Sequence, residues 1–168
     1  METGWKIGAP MTSLISPETT RVLRHLVATI AFRASRSLRD APAALESVCL
    51  ADGGMTAREL ILHMTNVMAF ALATVTGTER LHHDALDWQG DIDRFYSLLA
   101  QVDAKLAEGA AMEPGMDLKL VQGPFADALT HVGQLHAMRR ITGAPGPPTN
   151  YIRADVKIGR IALKDQPE

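Results

Sequence analysis

Thr56-Ala-Arg-Glu59 opens the most constrained stretch of this chain. A threonine followed three residues later by glutamate is a capping box. The hydroxyl takes an amide of the first helical turn, and the carboxylate reaches back to the amide of the cap. Behind it Leu60, Met64, Val67, Met68, Ala71 and Val75 recur at helical spacing as far as Gly77, which suits a helix stop. A helix with one apolar stripe gains most of its stability by burying that stripe against another element.

The partners are legible in the same terms. Ser16, Pro17 and Glu18 start a helix by capping, by a preset φ and by complementing the dipole; Val22, Leu23, Leu26, Val27, Ile30 and Ala34 follow before Ala41-Pro42 ends the run. A third helix is expected from Gly90-Asp91, with Asp91 as its cap and Ile92, Phe95, Leu99, Val102 and Leu106 as its stripe. A fourth is expected from Gly123-Pro124 to Thr142, closed by Gly143 and Pro145, with Phe125, Leu129, Val132 and His136 on one face and Leu135 beside it. The spacing thus predicts helices over about residues 16–40, 56–77, 91–108 and 123–142. Four stripes hidden against one another make an all-α four-helix bundle. Residues 144–168 read as an extended C-terminal arm, crossing the bundle or a second subunit. Residues 1–15 read as an N-terminal arm whose Trp5 and Ile7 pack on the body.

A length of 168 residues argues for one domain over the whole chain. Only 5% of residues are aromatic, which favours helix over sheet. A formal net charge of −2 gives no overall drive toward nucleic acid or anionic lipid. Arg33, Arg36 and Arg39, three apart, read as a solvated helix face. Cys49 is the only cysteine, so neither an internal disulfide nor a cysteine metal cluster can form; this suits a cytoplasmic location. Signal-peptide features are lacking, and no uninterrupted apolar run approaches the roughly 20 residues of a membrane span, so no membrane partner is expected.

Three side chains stand out chemically. His63 falls on the stripe of the second helix, as a hydrogen-bonded core residue or as a ligand facing into the bundle. Asp127 and His131 are four apart, with Cβ atoms about 6 Å from each other. Alone they are a polar helix edge as readily as half of a site. Together with His63 they form a set of two imidazoles and one carboxylate. Such a set suits Zn, Ni, Mn or Fe(II) and leaves coordination positions open for water or substrate. Gln134, a turn further on, is placed to orient a ligand or a bound water. His136 lies about 140° around the helix from His131 and reads as a core-edge or interface residue. His82-His83-Asp84 reads as a solvated loop, His25 as outward-facing, and Cys49 as unreactive.

Thr56-Ala-Arg-Glu-Leu-Ile-Leu-His63 with Met-Thr-Asn-Val-Met after it resembles the second-helix motif of the DinB/YfiT-like metalloenzyme family. Ala128-Leu-Thr-His-Val-Gly-Gln-Leu135 resembles that family's fourth-helix motif, and Tyr151-Ile-Arg-Ala-Asp155 with Gly159-Arg160 resembles one of its subgroups. The resemblance implies a four-helix bundle with a divalent ion held by one side chain of the second helix and two of the fourth. It assigns His63 and His131 as ligands, and it puts Asp127 where the family usually carries histidine. It also implies thiol-dependent group transfer, or hydrolysis, on a small electrophile, with a small cytoplasmic thiol as co-substrate. A homodimer that binds a small molecule and no nucleic acid is expected. The alternative is a non-catalytic dimeric bundle that binds metal or serves in stress.

Overall fold

The computed structural model describes residues 12–167; the expected packing of Trp5 and Ile7 lies outside them. The protein is an all-α bundle. Its helices are α1 (Pro17–Leu38), α2 (Ala57–Thr76), α3 (Trp88–Gly109), α4 (Met116–Leu120) and α5 (Ala126–Ile141). A π-helical turn, Val121–Phe125, joins the last two into one rod, so four long rods make the bundle. Two short strands, β1 (Ser13–Leu14) and β2 (Ala111–Met112), pair antiparallel at one end.

The caps form as expected at α1 and α2. Ser16 accepts the amide of Thr19, and Thr56 and Glu59 satisfy each other's amides in a capping box. Leu23, Val27 and Ile30 of α1 meet Leu60, Met64 and Met68 of α2, Phe95, Leu99 and Leu106 of α3, and Phe125, Val132 and Leu135 of α5 in one core. Val22, expected within the stripe, lies outside it and is 53% exposed. By length and composition α2 could cross a membrane, yet half of its apolar window is buried in the bundle. It packs against both α3 and α5, so both of its flanks are apolar.

Two boundaries differ from expectation. α3 starts at Trp88 because Asp87, not Asp91, is the cap. Asp91 is fully buried and takes the amide of Leu86, which pins the connector before the helix. The last rod starts at Met116, before Pro124, which proline was expected to forbid. The ring lacks an N–H and crowds the preceding turn. The wider π turn absorbs both defects: Ala126 donates to the Val121 carbonyl, five residues back.

The C-terminal arm forms turns and a short 3-10 helix, Leu163–Asp165, rather than an extended strand, and it lies on its own bundle. Arg39 donates to the carbonyls of Leu163 at 2.7 Å and Gln166 at 2.6 Å, and Arg36 to Thr149 at 3.1 Å and to the Pro167 carbonyl at 3.2 Å. The arginines expected to form a solvated face are therefore clamps on the tail, and Arg36 is buried.

Candidate metal centre

The capping box fixes where α2 begins and hence which way His63 points. The π turn fixes the rotation of α5 and hence the direction of Asp127 and His131. The three side chains meet. His63 Nε2 lies 3.0 Å from Asp127 Oδ2, and His131 Nε2 lies 3.3 Å from Asp127 Oδ1. The two rings stand edge to face, with centroids 4.7 Å apart. One ligand atom from each residue falls within 4.8 Å of the other two. A tetrahedral ion with bonds of about 2.0–2.1 Å needs ligand atoms roughly 3.4 Å apart, so small side-chain adjustments close the set on an ion.

The donor chemistry fits a divalent metal. His131 Nδ1 donates to Gln134 Oε1 at 2.8 Å, which leaves Nε2 with its lone pair toward Asp127 and His63. Gln134 is thus in hydrogen-bond contact with His131. The side chain of His131 is 11% exposed, while those of His63 and Asp127 are each 40% exposed. The set is closed at the bottom by His131 and open on the other side. The group His63, Asp127 and His131 can hold a metal ion.

The open side faces a cleft of about 620 Å³ lined by Val67, Phe70, Arg80, Gln122, Pro124 and Thr130 besides His63 and Asp127. Arg80 comes from the loop between α2 and α3 and Gln122 from the π turn, so both contribute to the walls. Arg80 stands 5.9 Å from the Phe70 ring and reaches the Asn66 carbonyl at 3.4 Å. Asn66 in turn holds the loop backbone, taking the amide of His83 at 2.8 Å and giving its own N–H to the His83 carbonyl at 3.0 Å. Arg80, Phe70 and Gln122 escaped the sequence reading. Phe70 is an apolar residue off the stripe, which was the one available signal.

The other candidates lie elsewhere. His25 is exposed, as expected. His83 is partly buried beside Arg94 and His82; burial first and those charges second hold its pKa below the ordinary value. Cys49 donates its thiol to the carbonyls of Ala51 and Gly54. His136 is on another flank of α5, 2.6 Å from the Ser37 hydroxyl. Gly133 is exposed, and an added Cβ would meet nothing within 4 Å, so the glycine does not shape the site.

No family model, no curated protein and no solved structure matches this chain.

Proposed function

We propose that the protein is a divalent-metal-dependent enzyme of the DinB-like class that acts on a small electrophile, by group transfer to a thiol or by hydrolysis. The observation that carries this reading is the convergence of two imidazoles and one carboxylate at the open floor of a walled cleft. His63, Asp127 and His131 would hold the ion, with Zn or Ni favoured by the imidazole donors and Mn or Fe(II) compatible. When bound, the ion supplies Lewis acidity, which makes water or a thiol nucleophilic near neutral pH. Gln134 keeps His131 in the tautomer that offers Nε2. Val67, Phe70 and Pro124 exclude water from an apolar part of the substrate, and Arg80 offers a positive charge to an anionic part.

The test is metal content of protein purified without a histidine tag. Close to one ion per chain is expected, with loss in both His63→Ala and His131→Ala. Substoichiometric metal that neither substitution changes would overturn the metal site. If metal is present, turnover of electrophiles with and without small thiols separates transfer from hydrolysis.

A second reading has its own observation. Asp127 Oδ2 is hydrogen-bonded to His63 Nε2 at 3.0 Å, so the carboxylate and that imidazole also satisfy each other without an ion. A non-catalytic bundle is then the result, and the same metal analysis distinguishes it.

A further inference from the structure

We propose a second binding site, for a small organic anion, in the cleft between α5 and the proline-rich loop 144–151. The ligand would be a phosphate or carboxylate on an apolar body. The cleft is about 540 Å³, a size suited to a small molecule. His136, Arg140, Thr149 and Tyr151 line it together with Pro145, Pro147 and Pro148. Prolines and a tyrosine ring offer an apolar wall of low conformational entropy, and the remaining groups offer hydrogen bonds.

Charge decides the kind of ligand. Four arginines surround His136: Arg33 and Arg36 from α1, Arg139 and Arg140 from α5. None of the four forms an ion pair with a carboxylate among the described residues. Asp40 exerts a counter-field on Arg139. Arg36 and Arg139 direct their N–H groups to neutral acceptors, chiefly backbone carbonyls. Those bonds satisfy the donors without a carboxylate partner among the described residues. Of the remaining two, Arg140 lines the cleft and Arg33 reaches it through Tyr151. Arg33 stacks on the Tyr151 ring at 3.9 Å, and Arg140 stands exposed at the rim; neither makes a side-chain hydrogen bond among the described residues. Planar guanidinium groups with unspent donors are suited to phosphate and carboxylate oxygens.

His136 adds a further donor. Its Nδ1 pairs with the buried Ser37 hydroxyl, which can donate to it and leave the ring proton on Nε2. Burial, then the arginine charges, lower the pKa of the imidazole. The site does not depend on the metal centre, since it shares no residue with the first cleft.

The experiment is a titration of the full chain with phenyl phosphate at low ionic strength, read by calorimetry and by the imidazole NMR resonances. Saturable binding is expected, with the His136 resonances moving and those of His63 and His131 still. Inorganic phosphate should bind more weakly, and phenol should not bind. Arg140→Gln and Arg33→Gln should each weaken binding by about tenfold or more, with helix content and Tm near wild type. Arg140 is a rim residue, so its variant remains a fair test if Arg33→Gln disturbs the tail. The absence of saturable binding, movement of His63 and His131 instead of His136, or wild-type affinity in both folded variants would each overturn the proposal. Phenol binding as tightly as phenyl phosphate would overturn the anionic ligand.

Discussion

His131 and His136 are five residues apart on one helix and live in opposite electrostatic surroundings. His131 faces a carboxylate and a second imidazole, with its other nitrogen held by Gln134. His136 faces a serine hydroxyl and four arginines. The first flank concentrates lone pairs and negative charge, which is what a cation needs. The second concentrates N–H donors and positive charge, which is what an anion needs. The residue type is the same; α2 supplies His63 to one side of α5, and α1 supplies Arg33 and Arg36 to the other. The chemistry of each flank is set by which neighbour the bundle brings to it.

Removing a support from the arginine flank should have the largest effect. Arg139 is buried and donates to the carbonyls of Arg36, Ser37, Arg39, Asp40 and Ala144. These are mostly the orphan carbonyls at the end of α1, and the tail loop begins beside them. Arg139→Met keeps much of the volume and strands several acceptors, so a loss of about 3 kcal/mol is expected in urea unfolding. Metal content of the folded fraction should stay at the wild-type level. A loss of metal in step with stability would show that the two flanks are not independent.

The metal flank is sharpened by Gln134→Ala. If Gln134 holds His131 in its ligating tautomer, metal affinity should fall by about 10- to 100-fold, as for other groups that orient a ligand. Competition with a chelator measures this directly. Unchanged affinity would mean that packing alone orients the ring. Gly133→Ala, one residue before it, is the contrasting case. With open space around its position, alanine removes the cost of glycine in a helix and should stabilise the protein by about 0.5–1 kcal/mol. Chelator competition should show no change, whereas weaker metal binding would indicate that α5 had shifted.

These contrasts mark how far the sequence could be read. Ser16 and Thr56 cap helices through local chemistry, and each starts its helix as expected. Asp87 and Asp91 offer the same local chemistry four residues apart, and burial of Asp91 against the connector decides between them. Pro124 reads as a helix start by any local rule, and the π turn that accommodates it is a compromise with the packing of α4 and α5. At the site, His63 was legible because helical period puts it on the apolar stripe, and Asp127 and His131 because four-residue spacing makes them neighbours on one helix edge. Arg80 was not, because a loop carries no period, and Gln122 was not, because it lies in the π turn ahead of the expected helix start. Arg36 and Arg39 misled for a related reason: three-residue spacing identifies a face, and only the tertiary path of the tail shows that the face is covered.

The smallest expected effect is a pH dependence that belongs to the arginine flank alone. The His136 imidazole, lowered by burial and by Arg140, Arg139, Arg36 and Arg33, binds its proton less readily in the folded protein than in the unfolded chain. A depressed folded value means that the unfolded state takes up the proton first. The contribution is therefore fully present above the ordinary histidine value of about 6.5 and is lost as pH falls through the folded value. His83 is shifted in the same direction, so wild-type stability alone does not isolate His136. Comparison with His136→Gln does, because the amide can still meet Ser37 but cannot titrate. Between about pH 7 and 5 the variant should lose less stability than wild type in parallel urea titrations. The difference should shrink when phenyl phosphate is present, because an anion in the cleft offsets the arginine field that opposes protonation. Equal slopes for the two proteins would mean that the arginines do not act on this ring, and the contrast between the two histidines of α5 would then rest on hydrogen bonding alone.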